Sequence, residues 1–331
     1  MSVTFEEIAR LAGVSKATVS RVVNNSPNGV GEKTRARVLQ IIQELETDTA
    51  NLNTRSGARL KTIGLIIPDI TNPFFAEMAK EIGKAAMEHG YSIYLGNTDF
   101  SVENECRYIK EFVAKQVSGI ILLSFVKKKY PEHDLIEKYK IPCVVVNNSV
   151  ENMTNVSEIL VDHTYATYNC CRLLIQSGAE NIAYISSAST PSSERFEGYC
   201  KALEENGIPL NESLLQQGDY TLESGYNAIL NLEKTGIKYD AVIATNDLVA
   251  MGCLKALKEL DYRIPEDMQV IGYDNIEFAR YADPPLTTVQ QPTMQMAQMA
   301  VEDLLNAIQK GTKRKKAVHI QGKLLRRQTT K

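Results

Sequence analysis

The sequence predicts a small all-α headpiece followed by a larger α/β body with parallel sheets. Three observations support this fold class. Two short amphipathic helices meet at a tight turn near the N-terminus, a polar stretch without apolar periodicity follows at 46–60, and strands then alternate with helices. Such alternation is typical of parallel sheets covered by helices. At 331 residues, the chain is long enough for two or three domains.

Thr4 is suited to begin the first helix, because its hydroxyl and the Glu7 carboxylate three residues later can form a capping box. Gly13 follows the last apolar position and predicts a left-handed helix end. Ser15 is suited to cap the second helix. The predicted inward faces are Ile8, Leu11 and Ala12 on the first helix and Val19, Val22 and Val23 on the second.

The outward face of the second helix carries side chains that suit a DNA major groove. It consists of Lys16, Ala17, Ser20, Arg21 and Asn24. Lys and Arg can bridge the acceptors of guanine, Ala can contact a thymine methyl group, and hydroxyls or amides can hold phosphates. On spacing alone, an ordinary helical hairpin with a solvated polar face is the alternative, since such hairpins are common.

The stretch EEIARLAGVSKATVSRVVNN, with GVGEKTRARVLQIIQEL after it, resembles the headpiece of the lactose-repressor family of bacterial transcription regulators. The resemblance implies that residues 1–46 are a helix-turn-helix DNA-binding headpiece with a third helix at 32–45. It implies base-reading roles for Lys16, Ala17 and Arg21. The phosphate contacts implied by the resemblance are Thr4, Ser15, Thr18, Ser20 and Asn24.

Residues 47–61 are predicted to form a hinge or linker. In the family that the headpiece resembles, this segment holds a small helix that inserts a leucine into the minor groove. The family's leucine position falls nearest Ser56 here, and only Leu52 or Leu60 could substitute for it. A plain flexible tether is therefore the alternative. Leu52 and Arg55 are the candidate DNA contacts in this segment.

Strands of the body are predicted at 62–67, 91–95, 119–123, 142–146, 182–185, 241–244 and 269–271, with a final strand pair at 318–320 and 323–325. Helices are predicted at 73–89, 102–115, 165–177, 194–206, 222–234, 248–260 and 292–309. Ligands of open parallel sheets bind at the carboxyl ends of the strands, so polar residues just after these strands are candidate ligand contacts.

The resemblance extends over nearly the whole chain. KTIGLIIPDITNPFF, NDLVAMG, VIGYDN and PPLTTVQQP resemble the periplasmic-sugar-binding-protein fold that the repressor family uses as its sensor. This implies a two-lobed ligand-sensing and dimerisation domain at 62–331. The first lobe is expected at about 62–161 and 291–320, and the second at about 162–290 and 321–331. Lobes connected in this way can hinge around a ligand.

Individual residues of the expected cleft match family contacts. Arg195 matches an arginine that binds sugar hydroxyls, and a planar bidentate donor suits vicinal hydroxyls. A surface salt bridge is the alternative for Arg195, and a core position is the alternative for Phe75. Asn147 stands where many relatives carry an aspartate. The complete set of predicted effector contacts is Asp69, Asn72, Phe74, Asn147, Arg195, Tyr220, Asn246, Asp274 and Gln291.

The chain lacks the motifs of common enzyme and cofactor chemistries. We find no GxGxxG after a strand and no P-loop, GxSxG or HExxH. The six cysteines show no CxxC pair, so neither a metal nor a cofactor is expected. We expect that the protein is not an enzyme. A sugar-modifying enzyme, using Asp274 with Asp69 as an acid/base pair, and a sugar-binding transport protein are the alternatives of another class.

Charge is distributed unevenly along the chain. Residues 1–61 carry nine Lys and Arg against six Asp and Glu, whereas the whole chain has a net charge of −3. A basic end on an acidic body suits a protein that meets DNA with one end only. The sequence has no apolar window of 18 residues and begins with a polar headpiece, so neither a membrane nor export is expected.

Together these patterns predict a cytoplasmic, homodimeric repressor whose affinity for double-stranded operator DNA is controlled by a small sugar bound between the lobes. DITNPFF, GNTD and RRQTT are similar to segments of ribose-type repressors. The alternative within the family is a global regulator that is controlled by a phosphorylated carrier protein.

Overall fold

The structure, a computed structural model, describes residues 5–23, 30–31, 33–41, 61–125, 128–186, 193–311 and 316–331. The linker at 47–60, with its candidate contacts Leu52 and Arg55, lies outside these residues, as do Thr4 and Asn24. The chain divides into two compact units, Met1–Lys61 and Thr62–Lys331, which we call the headpiece and the body.

The described part of the headpiece contains helices α1 (Phe5–Ala12), α2 (Lys16–Val23) and α3 (33–41). Gly13 separates α1 from α2 with a φ of +66°, which confirms the predicted left-handed turn. Ser15 Oγ accepts a hydrogen bond from Thr18 N at 3.2 Å and so caps α2, as expected. The small apolar core consists of Ile8, Ala9, Ala12, Val19, Val22 and Val38.

Two headpiece residues that were predicted to face inward are exposed. Leu11 and Val23 are each 45% exposed. A two-turn helix buries only one narrow stripe of side chains. In α1, Ala9 is buried together with Ile8, so the stripe does not extend to Leu11. The prediction for these two side chains is therefore wrong.

The body contains two sheets, each associated with helices. The first sheet has the strand order β11-β5-β4-β3-β1-β2, and the second has the order β12-β10-β9-β8-β6-β7. The strands of the first sheet are β1 (Lys61–Ile67), β2 (Tyr91–Asn97), β3 (Gly119–Leu122), β4 (Cys143–Val146), β5 (Ser157–Val161) and β11 (Lys316–Ile320). Those of the second are β6 (Ile182–Ser186), β7 (Leu215–Gln217), β8 (Ala241–Ala244), β9 (Gln269–Asp274), β10 (Thr287–Gln290) and β12 (Lys323–Leu325).

The described helices of the body are α4 (Pro73–Glu88), α5 (Val102–Ala114), α6 (His133–Lys138), α7 (His163–Gln176), α8 (Glu194–Glu205), α9 (Leu222–Thr235), α10 (Asp247–Glu259) and α11 (Thr293–Lys310). Within the described residues, no helix combines the length and the apolar composition that a membrane span requires. Each sheet, with the helices packed on it, forms one lobe of the body. α11 packs against α4, β3 and β4 and so belongs to the first lobe.

The chain passes between the two sheets three times, after β5, after β10 and after β11. β11 pairs in parallel with β5, whereas β12 pairs antiparallel with β10. The last two strands therefore belong to different sheets, in line with the lobe bounds expected at 320 and 321, but they do not form the strand pair that the sequence predicts. A short connection between strands usually indicates a hairpin, but here it links the two lobes.

Four elements of the body were not predicted from the sequence, namely α6, β5, β7 and β10. β10 reads TTVQ, yet Thr287 and Thr288 are fully buried. The Thr287 hydroxyl is bonded to Thr330 Oγ1 at 3.0 Å, and the Thr288 hydroxyl donates to Asp247. A strand whose buried residues are polar cannot be recognised from apolar alternation.

All six cysteines are free thiols, and all but Cys200 are buried. Burial raises the pKa of Cys106, Cys143 and Cys171 to about 12. These thiols are therefore protonated at neutral pH and behave as small core residues, as the sequence predicts.

Close contact between the backbones of α9 and α10 depends on glycine. A Cβ atom on Gly252 would lie 1.9 Å from Leu222 O, and one on Gly225 would lie 2.0 Å from Val249 O. Neither carbonyl oxygen can move without displacing a helix. In contrast, a Cβ on Gly83, within α4, would meet nothing within 4 Å.

We predict that Gly252→Ala destabilises the protein by about 2–4 kcal/mol, because the two helices must separate. Gly83→Ala is the matched control, and it should stabilise the protein by up to about 1 kcal/mol through helix propensity. Urea unfolding followed by circular dichroism measures both changes. A Gly252→Ala protein as stable as the wild type would contradict the packing described here.

Candidate functional site

A cavity of about 290 Å³ lies between the two lobes, next to the carboxyl ends of their strands. We call it the interlobe cavity. The first lobe contributes Pro68, Asn72, Phe74, Phe75, Phe100, Leu123, Ser124, Phe125, Val146, Asn147 and Asn148. The second lobe contributes His163, Ser193, Glu194, Arg195, Tyr220, Thr245, Asn246 and Asp274.

Most of the predicted effector contacts line this cavity, namely Asn72, Phe74, Asn147, Arg195, Tyr220, Asn246 and Asp274. Asp69 and Gln291 do not. Asp69 Oδ1 accepts hydrogen bonds from the backbone and the hydroxyl of Thr71, at 2.8 and 2.7 Å. Gln291 is 2% exposed and donates from Nε2 to Asp274 Oδ1 at 2.7 Å. Gln291 therefore orients a cavity carboxyl from behind the wall.

Two asparagines of the cavity wall are helix caps. Asn72 Oδ1 accepts a hydrogen bond from Phe74 N at 3.0 Å at the start of α4. Asn246 Oδ1 accepts one from Val249 N at 2.8 Å at the start of α10, and its Nδ2 donates to Tyr220 O at 3.1 Å. Both side chains thus fix the ends of helices beside the cavity.

Arg195 is buried among three partners, and its side chain is only 16% exposed. Its guanidinium carbon lies 3.7 Å from the centroid of the Tyr273 ring. Nη2 lies 3.9 Å from Asp274 Oδ1, and Nη1 donates to the carbonyl oxygen of Thr245. The burial rules out a surface salt bridge for Arg195 and places a fixed planar donor at the cavity wall.

Two carboxyl groups that influence each other, Asp274 and Asp247, are buried in the second lobe. Burial raises the pKa of Asp274 to about 6, and Arg195 and Gln291 limit this increase. Asp247 is fully buried and accepts a hydrogen bond from Ile276 N at 2.8 Å. Burial, and then the charge of Asp274, raise the pKa of Asp247 well above its usual value. Ionising both groups is therefore unfavourable in the folded protein.

Aromatic rings from both lobes form an apolar part of the wall. Phe100 of the first lobe stacks on Tyr220 of the second, with centroids 5.1 Å apart and planes 8° apart. Phe125 and Phe75 meet Phe100 edge-on, at 5.7 and 6.3 Å. Phe75 is half-buried, whereas Phe74 is 3% exposed and packs in the core. Of these two neighbouring rings, Phe74 is therefore the one that packs into the core.

Four lining residues have a positive φ that residues with side chains rarely adopt. The angle is +53° at Phe100, +70° at Asn147, +72° at Tyr220 and +110° at Asp274. Such conformations cost about 1–3 kcal/mol each and persist only where the surroundings enforce them. They occur mainly at binding and catalytic sites, which supports a ligand-binding role for this cavity.

Several lining residues were not predicted from the sequence, including Phe100, Ser124, Phe125 and His163. The first three lie just after β2 and β3, so their position at strand ends was a usable signal. His163 follows β5 equally closely, but β5 was not predicted from the sequence, so the position of His163 gave no signal. Its Nδ1 lies 2.7 Å from the Tyr273 hydroxyl, and its Nε2 lies 3.4 Å from Asn147 O.

In the headpiece, the described DNA-contact candidates lie on or next to α2. Ser15, Lys16, Ala17 and Arg21 are exposed, and Thr18 and Ser20 are half-buried. Lys16 Nζ forms an ion pair with Glu6 Oε1 at 2.7 Å, and both side chains are mostly exposed. Water screens an exposed pair strongly, so Lys16 can exchange this partner for a base or a phosphate at little cost.

Within the described residues, no three His, Cys, Asp or Glu side chains are grouped as metal ligands would be.

The fold and the site define a two-lobed binding protein that carries a helix-turn-helix unit ahead of its body. Residues 60–328 match the family model for periplasmic binding proteins and the sugar-binding domain of the LacI family. Residues 4–46 match the model for bacterial regulatory proteins of the lacI family. The chain belongs to the LacI family of bacterial regulatory proteins.

Individual relatives agree with this assignment. The chain is 34% identical to catabolite control protein A of Priestia megaterium, and the alignment covers 100% of both chains. It is similar to the structure of a transcriptional regulator CelR–cellobiose complex, with 29% identity, a TM-score of 0.72 and 99% of each chain covered. It is also similar to the lac repressor dimer bound to operator and an anti-inducer, with 26% identity, a TM-score of 0.74, and 100% and 99% of the chains covered.

We predict that Asp274→Asn makes the stability of the protein less dependent on pH. An acid whose pKa is raised by folding binds more protons in the folded than in the unfolded state. The free energy of unfolding therefore falls as pH rises from about 4 to about 6. Removing this carboxyl should reduce the fall by up to roughly 2–3 kcal/mol.

Urea unfolding at pH 4.5, 5.5 and 6.5 measures this effect. Asp283→Asn is the control, because Asp283 is exposed and its pKa is lowered by Lys258. Asp283→Asn should therefore keep the pH dependence of stability that the wild type shows. Equal pH slopes for the wild type and Asp274→Asn would show that Asp274 titrates normally in the folded protein.

Proposed function

We propose that this protein is a cytoplasmic, homodimeric transcription repressor whose affinity for operator DNA changes when a small sugar binds in the interlobe cavity. The observation that carries the proposal is the arrangement of the cavity wall. A buried planar cation and a carboxyl, Arg195 and Asp274, lie in the same cavity as a set of aromatic rings. Family membership supplies the DNA-binding half of the proposal.

The chemistry of the wall suits a carbohydrate. Vicinal hydroxyls can bind a guanidinium and a carboxylate side by side, while the apolar face of a sugar ring packs on Phe75 or Tyr220. Asn147 Oδ1 is buried and accepts no hydrogen bond from the described residues. A buried acceptor without a donor is unfavourable, and a ligand hydroxyl would satisfy it.

The cavity size favours a small sugar. A cavity of about 290 Å³ lies at the lower end of the range of small-molecule sites, which is about 300–1,000 Å³. We propose a pentose or another small sugar as the ligand. The similarity of DITNPFF to ribose-type repressors supports the same class of ligand.

Coupling to DNA follows from the connection between the lobes. A ligand that contacts both walls favours one arrangement of the lobes over the other. A difference in affinity of about 1–3 kcal/mol between the two arrangements is enough for regulation. In a dimer, this change would alter the spacing of two headpieces on a near-palindromic operator.

We propose that the cavity binds its ligand without converting it. An acid/base mechanism with Asp274 and Asp69 requires both carboxyls to face the substrate. Asp69 is not part of the wall, and its carboxylate accepts hydrogen bonds from Thr71. The geometry therefore gives no support to a sugar-modifying enzyme.

The proposal predicts that one small sugar changes DNA affinity at least fivefold. Fluorescence anisotropy on DNA selected from a random pool, repeated with a panel of pentoses, hexoses and sugar phosphates, measures this change. Arg195→Ala should bind the same DNA with wild-type affinity but lose the response, because the sugar loses its fixed donor. A response only to purines, or only to a phosphorylated carrier protein, would refute the sugar proposal and support a different regulator within the family.

For the headpiece, we predict that Arg21→Ala weakens operator binding by about 1–3 kcal/mol and relaxes preference at one base pair. Arg10→Ala is the control, since it removes the same charge from α1 rather than from the outward face of α2. Its effect should be smaller and equal for all operator variants. Equal losses on every variant for Arg21→Ala would assign Arg21 to the phosphates instead.

A further inference from the structure

A buried group of three polar side chains lies in the first lobe and reaches the cavity wall. Ser124 lines the cavity and is 5% exposed, whereas Glu105 and His133 lie behind it at 1% and 0%. Ser124 Oγ donates to the Glu105 carboxylate, at 3.0 Å from Oε2 and 3.3 Å from Oε1. His133 Nε2 lies 3.1 Å from Glu105 Oε1. The proposed function does not account for this group.

The protonation of His133 follows from its backbone contact. Its Nδ1 lies 2.9 Å from Tyr130 N and accepts the hydrogen of that backbone group. Nδ1 therefore carries no proton, and Nε2 carries the proton that it donates to Glu105. Glu105 thus receives one hydrogen bond from the imidazole and another from the Ser124 hydroxyl.

This arrangement is not that of a serine nucleophile. In a catalytic triad, the imidazole contacts the serine and accepts its proton. Here the carboxylate lies between the two, and His133 has no free acceptor to offer. The geometry instead fixes the direction of the Ser124 O–H bond, which points toward Glu105.

We infer that Glu105 and His133 are positioning residues that make Ser124 a hydrogen-bond acceptor toward the interlobe cavity. The inference rests on the proposed function, since it concerns the ligand of the same cavity. Because Ser124 donates its hydroxyl hydrogen to Glu105, its oxygen can act only as a hydrogen-bond acceptor toward a ligand. A ligand hydroxyl that can donate is recognised there, and a group that can only accept is rejected.

Asn147 extends this acceptor surface. Ser124 follows β3 and Asn147 follows β4, and these strands are neighbours in the first sheet. Asn147 Oδ1 is a buried acceptor without a donor among the described residues. The first-lobe wall therefore selects donors, whereas Arg195 on the second-lobe wall selects acceptors. The two walls together select a polyol with at least one free hydroxyl on the first-lobe side.

Glu105→Gln tests the inference because it should reverse the direction of the Ser124 hydroxyl. The amide oxygen of the new side chain would face the N–H of His133, so its NH₂ group would face Ser124. The serine would then accept from this amide and direct its own hydrogen into the cavity. The acceptor at the wall becomes a donor, with little change in shape.

The probes are D-ribose, D-glucose and their single deoxyfluoro analogues, measured by isothermal titration calorimetry on the full chain. Fluorine fills the space of a hydroxyl but cannot donate a hydrogen bond. The wild type should prefer the hydroxyl over fluorine by about tenfold or more at one ring position. In Glu105→Gln that preference should fall about tenfold, with the preferences at other positions unchanged.

Two further variants separate positioning from a structural effect. Glu137→Gln is the matched control, because Glu137 also accepts a hydroxyl hydrogen, from Thr154 at 2.9 Å, but neither residue lines the cavity. It should leave every preference unchanged. Ser124→Ala should remove the selectivity for hydroxyl over fluorine at the same ring position. This variant tests the inference if Glu105→Gln does not fold.

Selectivity that is the same in the wild type, Glu105→Gln and Ser124→Ala would overturn the inference and leave the proposed function intact. A wild-type protein that binds none of the parent sugars in the panel would overturn the proposed function for these sugars, and the inference with it. A loss of affinity in Glu105→Gln that is equal for all probes would assign Glu105 a purely structural role and also overturn the inference.

Discussion

The guanidinium of Arg195 is removed from water and needs partners in the protein that replace its hydration. The second-lobe wall is built to supply these partners. Tyr273 covers one face of the cation, the Thr245 carbonyl accepts a hydrogen bond, and Asp274 supplies the opposite charge. Asp274 in turn requires Gln291, which lies where the chain leaves β10 for the first lobe. One buried charge thereby links β8, β9 and the connection between the lobes.

The first-lobe wall presents hydrogen-bond acceptors, which complement the donor Arg195 on the second-lobe wall. It holds a buried acceptor without a donor at Asn147 and a serine whose hydrogen is already committed to Glu105. Phe100 and Asn147 both have a positive φ, a conformation that persists only where the surrounding structure enforces it. A ligand that supplies hydroxyl donors to the first lobe and acceptors to Arg195 would satisfy both walls at once. This physical link between ligand binding and lobe arrangement is what a ligand-controlled regulator needs.

The sequence was sufficient for those parts of the structure that depend on local patterns. Apolar strands and amphipathic helices predicted an α/β body with parallel sheets, and Asp274 was found at the end of a strand. The two lobes and the role of Arg195 came from the family resemblance instead, because Arg195 lies at the start of α8 and not at a strand end. Features that depend on distant residues could not be obtained in this way. The buried polar strand β10 needs Thr330 and Asp247 as partners, and Gln291 is placed behind Asp274 by packing. The positioning of Ser124 by Glu105 likewise joins residues that are 19 positions apart.

The threefold passage of the chain between the sheets also sets the order in which the protein can form during synthesis. α1 to α3 lie within the first 41 residues, whereas the first sheet lacks an edge strand until β11 is made. The second sheet needs β12, and Thr329 is fully buried against Val270 near the chain end. At about 5–20 residues per second, roughly 15–55 s of synthesis separate the headpiece from these last strands. A nascent chain therefore carries its helix-turn-helix before the ligand-binding body is complete, so any control by a ligand begins later than the formation of the headpiece.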